Sequence, residues 1–169
     1  LVYYCFMYEI VKMPTLASLC ASWYLRNERI SRNDSCLYLD RDGVINKDTG
    51  YLNSMLNLKI NLNTIDIIRY CNKNRFPIAV ITNQAGVAHR YFTEKECVNF
   101  NLNLLTHIWE DFKVKIDLLL YCPSHPKGIN LNYRRKCECR KPKTSLFEFS
   151  KEIFGAKYGQ CVFIGDQIT

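Results

Sequence analysis

Two aspartates, Asp40 and Asp42, stand two positions apart in the run LYLDRDGVIN, directly after a short apolar segment. In an extended chain, residues i and i+2 point the same way, so both carboxylates can face one ligand. One carboxylate can attack a phosphorus atom while the other transfers a proton. This spacing favours Asp40 as the nucleophile and Asp42 as the acid and base. The alternative is a plain turn, because Asp and Gly are common turn residues.

Two further polar segments strengthen the chemical interpretation. The segment Thr82-Asn83-Gln84 follows a second apolar run, and Asp166 follows a third. Ligands of α/β sheets bind at the carboxyl ends of strands, where these segments would converge. Oxygen ligands from Asp40, from Asp166 and from a carbonyl near Asp42 suit Mg²⁺, which keeps positions for water and substrate phosphate. Lys141 can neutralise charge on a transferred phosphoryl group, and the Thr82 segment can donate hydrogen bonds to it.

A second group of residues has the chemistry of a metal site. Cys122 and His125 lie in the segment CPSHP, and Cys137 and Cys139 follow in the segment CEC. Four soft or borderline ligands in two close pairs are typical of a closed tetrahedral zinc site. We expect such a zinc ion to be structural and to hold the loop that leads to Lys141. The alternative is a set of separate buried thiols.

The chemistry at the strand ends requires a sheet, and the hydrophobic pattern predicts one. Short apolar runs closed by polar or glycine signals predict buried parallel strands at residues 36–39, 77–81, 116–121 and 161–164. Segments of helical period predict helices at 64–72, 93–111 and 145–154, the second with Thr93 as its N-cap. The alternation predicts an α/β fold, a Rossmann-like parallel sheet with helices on both faces and a zinc-binding loop.

The 169 residues, of which 48% are hydrophobic, suit one ordinary globular domain. We assign residues 36–169 to that domain. Residues 1–35 are aromatic-rich, and we expect either a helical tail of a neighbouring domain or an added packing element. The sequence ends three residues after Asp166, so we expect the closing elements of the sheet to be missing.

The net charge and the cysteine content indicate which partners and which cellular compartment suit the chain. A net charge of +7 suits an anionic partner such as a phosphorylated metabolite, a nucleic acid or a membrane surface. The nine cysteines are odd in number and several stand singly in apolar runs, which favours reduced thiols in a cytoplasmic protein. No uncharged apolar run is long enough to predict a membrane-spanning helix.

Six motifs, LDRDGVIN, Gly50-Tyr51, VITNQAGVA, YCPSHP, CECRKP and FIGDQ, together resemble those of phosphatases of the haloacid dehalogenase superfamily. The similar group contains the D-glycero-D-manno-heptose 1,7-bisphosphate 7-phosphatases and the histidinol-phosphatases. The resemblance covers about residue 36 to the end of the sequence and implies a magnesium-dependent phosphoric monoester hydrolase. It implies Asp40 as nucleophile, Asp42 as acid and base and Asp166 as a magnesium ligand. It implies phosphoryl or substrate contacts from Asp48, Thr49, Gly50, Tyr51, Thr82, Asn83, Gln84, Ala85, Arg140, Lys141 and Gln167.

Three positions depart from the family pattern. Ser124 stands where the family usually has a zinc-binding His, so either His125 takes over this role or zinc is weakly bound or absent. His89 replaces an Arg and Gln167 replaces a Lys, and both changes remove a fixed positive charge near the substrate. Fourteen residues separate Cys122 from the CEC segment, which resembles the heptose enzymes more than the shorter-looped histidinol enzymes.

We therefore expect a monomeric sugar-phosphate phosphatase that acts on the 7-phosphate of D-glycero-D-manno-heptose 1,7-bisphosphate, with histidinol phosphate as the alternative substrate. A second hypothesis is a catalytically weak homologue that binds a phosphorylated ligand or a partner protein. A third, nucleic-acid end processing, is disfavoured because no basic stripe interleaved with stacking aromatics surrounds the motifs. We expect a small phosphorylated sugar as the partner, and neither a nucleic acid nor a membrane.

Overall fold

The computed structural model describes residues 8–14, 20–21, 23–28, 30, 33–157 and 160–166. Within them, six strands form one sheet: β1 (Tyr8–Lys12), β2 (Trp23–Asn27), β3 (Leu37–Leu39), β4 (Ile78–Asn83), β5 (Leu118–Cys122) and β6 (Val162–Ile164). Their order across the sheet is β1-β2-β5-β4-β3-β6. The four strands from β5 to β6 run parallel to one another, as the apolar runs predict.

The central strands are buried on both faces. Every residue of β3 and β5 is buried, and only the last residue of β4 is partly exposed. In strands that are covered on both faces, near-continuous apolar runs replace the alternating pattern of a half-exposed sheet. This is why the runs at 36–39, 77–81 and 116–121 could be recognised in the sequence.

The described part of the first 35 residues adds two strands to this sheet. β1 pairs antiparallel with β2, and β2 pairs antiparallel with β5 through Leu25↔Leu119 and Arg26↔Leu118. Tyr24 contacts the ring of Phe149 edge to face at 5.3 Å, and Leu25, which points to the opposite face, is 1% exposed. The described residues of this segment are thus extended rather than helical. The domain boundary at residue 36 stays a prediction.

Three helices connect the strands: α1 (Leu62–Lys73), α2 (Glu94–Phe112) and α3 (Ser145–Phe154). A short 3₁₀ helix at Met55–Asn57 lies in the segment before α1. The predicted helices and the predicted α/β fold are confirmed, and each helix boundary lies within two residues of its prediction. No helix among the described residues is both long and apolar enough to cross a membrane.

The start of α2 is set by a complete capping box. The Thr93 hydroxyl accepts a hydrogen bond from the Glu96 backbone N–H at 3.2 Å, and the Glu96 carboxylate accepts one from the Thr93 backbone N–H at 2.7 Å. Two of the N–H groups that a helix leaves unpaired at its start are thereby satisfied. The predicted N-cap at Thr93 is confirmed.

Replacing Thr93 by Ala removes this cap, and we expect the free energy of unfolding to fall by about 1 kcal/mol. The measurement is chemical denaturation at equilibrium. Thr106→Ala is the matched control, because Thr106 lies inside α2, where Ala is the better helix former. Equal destabilisation by the two substitutions would contradict the assigned role of the cap.

Candidate active site

A cavity of about 600 Å³ opens at the carboxyl ends of β3, β4 and β6. Most of the residues predicted for the site line it: Asp40, Asp42, Asp48, Gly50, Tyr51, Thr82, Asn83, Ala85, Arg140, Lys141 and Asp166. Thr49 instead lines a neighbouring surface groove, and Gln84 is buried behind the cavity. Gln167 lies outside the described residues. The three strand-end segments therefore meet at one place, although the role of each residue stays a prediction.

Asp40 is held between β3 and β6 with a cation beside it. Its backbone N–H donates to the carbonyl of Ile164 at 2.9 Å, which fixes the end of β3 against β6. Its carboxylate forms an ion pair with Lys141 Nζ, and the two side chains are only 19% and 14% exposed. The ammonium group also lies 5.5 Å from the centre of the Phe163 ring. Such a half-shielded pair is weakened by solvent and salt less than a surface pair is.

Asp42 is surrounded by hydrogen-bond donors. Arg41 donates to both carboxylate oxygens at 3.1 and 2.9 Å, Asn46 donates at 2.9 Å and Gln84 donates at 3.0 Å. Burial pushes the pKa of Asp42 up, but the Arg41 charge and these hydrogen bonds outweigh it and hold the pKa below its ordinary value. Asp42 is therefore ionised at neutral pH in the absence of a ligand.

The Asp166 carboxylate lies directly against Gly43. Gly43 has a φ of +82°, and a Cβ added to it would overlap the Asp166 side chain. Glycine is thus required there both by the backbone conformation and by the close approach. Asp40, Asp42 and Asp166 together present carboxylate oxygens to the cavity, and this donor set fits the hard-ligand preference of Mg²⁺.

The end of β4 positions two other parts of the site. Asn83 uses both ends of its amide on the backbone of Lys141, accepting from its N–H at 3.0 Å and donating to its carbonyl at 3.2 Å. Thr82 is 1% exposed, and its hydroxyl accepts a hydrogen bond from Gln84 at 3.0 Å. In this structure Asn83 therefore positions Lys141, and Gln84 links Thr82 to Asp42.

A cluster of rings, here called the mouth cluster, contains Tyr51, His89, Tyr91 and His125, and Tyr51 is its member that lines the cavity. Tyr51 lies 4.5 Å from the Tyr91 ring and 6.1 Å from the His89 ring, measured between centroids. His125 lies 4.9 Å from His89. Desolvation and the nearby charges of Arg140, His89 and Lys127 lower the pKa of His125, so it is neutral at pH 7.

Four cysteines meet beside the loop that carries Arg140 and Lys141. The Sγ atoms of Cys20, Cys122, Cys137 and Cys139 all lie within 4.8 Å of one another. Cys122 and Cys139 are buried, and the other two are half-buried. Four converging thiols are a donor set that fits zinc.

This cluster differs from the predicted zinc ligands in one member, because Cys20 occupies it in place of His125. The His125 backbone N–H donates to the Tyr133 carbonyl, and its Nδ1 accepts a hydrogen bond from the Lys127 N–H at 3.1 Å. This turn directs the imidazole to the mouth cluster. His125 is not among the residues that converge on the three remaining cysteines.

Sequence reasoning did not assign roles to Arg41, Asn46 or Cys20. Arg41 stands between the two aspartates in the turn that follows β3, and its buried guanidinium reaches the Asp42 carboxylate from the interior. No local sequence pattern indicated this role. Cys20 offered no signal beyond the cysteine count, because it lies 102 residues from Cys122 in the chain.

Comparisons with known proteins agree with this geometry. A family model described as polynucleotide kinase 3 phosphatase matches residues 43–168. The D-glycero-beta-D-manno-heptose-1,7-bisphosphate 7-phosphatase of Escherichia coli O6:H1 is 32% identical over 144 residues, covering 82% of this chain and 73% of that protein. The enzyme of the same name from Haemophilus influenzae is 31% identical over 140 residues, covering 80% and 72%.

Two solved structures are also similar. A protein described as a haloacid dehalogenase-like phosphatase from Mesorhizobium loti has a TM-score of 0.81 and 26% identity, covering 90% of this chain and 72% of that chain. The D,D-heptose 1,7-bisphosphate phosphatase of B. bronchiseptica, solved with magnesium and phosphate, has a TM-score of 0.67 and 21% identity, covering 78% and 70%. The second likeness speaks for the fold alone.

The fold and the strand-end site define a phosphatase of the haloacid dehalogenase type, an enzyme that hydrolyses phosphoric monoesters. Within this class, the chain belongs to the polynucleotide kinase 3 phosphatase family, whose model covers most of its length. The resemblance seen in the sequence motifs is thereby confirmed.

The Gln84→Met substitution tests the environment of Asp42. The variant loses the amide that donates to Asp42 and to Thr82, so the Asp42 carboxylate is less stabilised and we expect its pKa to rise. The measurement is a carboxyl ¹³C NMR titration. Gln160→Met, far from the site and exposed, is the matched control. A variant at Gln84 that titrates like the wild type would overturn this assignment.

Proposed function

We propose that this protein is a magnesium-dependent phosphatase that hydrolyses a sugar-phosphate ester through an aspartyl-phosphate intermediate. The observation that carries the proposal is the meeting of Asp40, Asp42, Asp166 and Lys141 at one cavity. A carboxylate nucleophile, a second carboxylate for proton transfer and a cation for the phosphoryl oxygens are the groups that this reaction needs.

The proposed reaction has two steps. A carboxylate oxygen of Asp40 attacks phosphorus, the bond to the ester oxygen breaks, and Asp42 gives its proton to the departing alkoxide. Asp42 then takes a proton from a water molecule, which attacks the aspartyl phosphate, releases inorganic phosphate and restores Asp40. Lys141 stays beside the phosphoryl oxygens in both steps.

The charge balance of the cavity supports a divalent cation. Its lining contains four carboxylates, Asp40, Asp42, Asp48 and Asp166, against the two cations Arg140 and Lys141. A phosphate group would add further negative charge, and Mg²⁺ held by Asp40, Asp166 and a backbone carbonyl near Asp42 would neutralise it and polarise the phosphoryl group.

The heptose bisphosphate named for the relatives is the first choice of substrate, and histidinol phosphate is the alternative. At the cavity entrance, the half-exposed Tyr51 offers an apolar surface and Asp48 offers a carboxylate. A ring face and an acceptor beside a phosphate site suit a polyhydroxylated substrate, whose C–H groups pack on the ring while its hydroxyls donate hydrogen bonds.

We also propose that the four-cysteine cluster binds a structural zinc ion. We further propose that the protein is a monomer in the cytoplasm. The donor set supports zinc because thiolates are its usual structural ligands. All eight cysteines among the described residues are free thiols, which suits a reducing compartment.

The family model supports a second candidate, the removal of a 3′-phosphate from a nucleic-acid end. The net charge of +7 is compatible with a polyanionic substrate. Against it, the sequence around the site motifs has no basic stripe with interleaved aromatics of the kind that binds single strands.

Asp40→Asn should abolish the hydrolysis of a sugar phosphate in the presence of Mg²⁺, with a loss of at least about a thousandfold in kcat. The amide keeps the shape of the side chain but cannot form the phospho-enzyme. The measurement is phosphate release, with circular dichroism to confirm the fold. Asp66→Asn, exposed on α1, is the matched control and should retain activity. Retention of full Mg²⁺-dependent activity by Asp40→Asn would falsify the proposed mechanism.

A substrate panel separates the candidates. We expect kcat/KM for D-glycero-D-manno-heptose 1,7-bisphosphate to exceed the values for histidinol phosphate and for a 3′-phosphorylated oligonucleotide by at least about tenfold. Phosphate release is measured with each substrate at equal Mg²⁺ and salt. The highest value for histidinol phosphate would favour the alternative metabolite, and the highest value for the oligonucleotide would favour end processing.

A further inference from the structure

The fourth sulfur of the cysteine cluster comes from a distant part of the chain. Cys20 precedes β2, whereas Cys122 ends β5, and Cys137 and Cys139 lie in the loop that follows β5. We propose that Cys20 replaces the missing histidine as the fourth ligand, so that zinc is bound by four thiolates and fastens the β1–β2 hairpin to the loop that carries Lys141.

The distances among the sulfurs support one shared ion. Cys20 Sγ lies 2.7 Å from Cys139 Sγ, 2.8 Å from Cys137 Sγ and 3.6 Å from Cys122 Sγ. Four sulfurs bound to zinc at about 2.3 Å would lie about 3.8 Å apart, so the three pairs at 2.7–2.8 Å would separate by about 1 Å around an ion, within the 4.8 Å span of the cluster. A disulfide joins only two sulfurs, and all four are free thiols here.

The pairing of the strands explains why Cys20 reaches this point. β2 runs antiparallel to β5 with Leu25 opposite Leu119. Counted on by five residues from the Leu25–Leu119 pair, the same register would bring position 20 opposite position 124. The motif resemblance implies a zinc-binding His at position 124, and this chain has Ser124 there. The Cys20 thiol, which comes from the segment before β2, thus lies near the place that a histidine at position 124 would fill.

The surroundings of Ser124 leave the fourth position to Cys20. Ser124 is fully buried, and its carbonyl accepts hydrogen bonds from Arg140 at 3.2 Å and from the Cys122 thiol at 3.8 Å. His125 is turned away to the mouth cluster. Among the described residues, the group of converging ligand atoms contains the four cysteines and no histidine or carboxylate.

The proposed cross-link would have a structural effect at the active site. The pairing of β2 with β5 extends over two residue pairs, and a metal bond at Cys20 would add a cross-link to the ring contact of Tyr24 with Phe149 and the burial of Leu25. On the other side, Cys139 is followed directly by Arg140 and Lys141, and the Arg140 N–H donates to the Cys137 carbonyl at 3.2 Å. A zinc ion at the cluster would therefore fix both the hairpin and the start of the segment that contains Arg140 and Lys141.

The test measures zinc content and coordination in the full chain. We expect the wild-type protein to hold one zinc ion per chain with four sulfur neighbours at about 2.3 Å by X-ray absorption. Cys20→Ser should weaken zinc affinity at least tenfold in a chelator competition and lower the sulfur count to three. Cys161→Ser, a half-buried cysteine outside the cluster, is the matched control and should change neither value.

A rescue variant keeps the test decisive if Cys20→Ser folds poorly. The double variant Cys20→Ser with Ser124→His places an imidazole where the thiol was lost. We expect it to recover zinc binding with three sulfur neighbours and one nitrogen, but to leave the hairpin without its metal cross-link. Proteolysis within residues 8–28 should then be slow in the zinc-loaded wild type and fast in both the zinc-loaded double variant and the chelated wild type.

Three results would overturn the proposal. The first is a wild-type chain that binds no zinc when zinc is supplied under reducing conditions. The second is a Cys20→Ser variant with unchanged affinity and an unchanged sulfur count. The third is hairpin proteolysis that is insensitive to zinc in the wild type. All three readouts are independent of phosphatase activity, so a failure of the proposed enzymatic function would leave them interpretable.

Discussion

The buried guanidinium of Arg41 is the constraint on which the site depends. Its side chain is fully buried, and it donates to Asp42, to the side chain of Asn101 on α2 at 2.8 Å and to the carbonyl of Leu52 at 3.1 Å. It also lies 5.0 Å from the Phe100 ring centre. A buried cation needs partners, and the removal of one partner lowers the free energy of unfolding by about 3–5 kcal/mol.

The contribution of Asp42 to the free energy of unfolding depends on pH. Because the folded-state pKa of Asp42 is lowered, this contribution is present above the ordinary carboxyl pKa and is lost as pH falls through the folded-state value.

Contacts between different elements also fix Lys141 beside Asp40. The Lys141 ammonium reaches Asp40, but its backbone is fixed by Asn83 from a neighbouring strand. The long loop before it is anchored by the hydroxyl of Tyr133, which donates to the buried Glu94 at 2.7 Å, and Tyr121 of β5 donates to the same carboxylate at 2.9 Å. Asp40 and Lys141 therefore come from different elements, and hydrogen bonds between these elements hold the two side chains together.

The predictable parts of the molecule are those whose signals are local. The buried strands, the helical periods and the Thr93 cap each depend on a few consecutive residues. The convergence of Asp40, Thr82 and Asp166 follows because the carboxyl ends of parallel strands meet at one edge of the sheet. The antiparallel addition of β1 and β2 depends on long-range pairing with β5, which no local pattern specifies. Cys20 was missed for the same reason, since its partners are assembled by the sheet and not by sequence spacing.

The environment of Asp42 sets a condition on the proposed chemistry. Arg41, Asn46 and Gln84 all stabilise its ionised form, so the resting site holds a base, whereas protonation of a leaving alkoxide needs an acid. A substrate phosphate that enters the cavity brings negative charge close to Asp42, and like charge raises a carboxyl pKa. The substrate itself thus favours the protonated form that the first step uses. Once the alkoxide has left with that proton, Asp42 returns to the ionised state that its hydrogen bonds prefer, which is the form required to activate water.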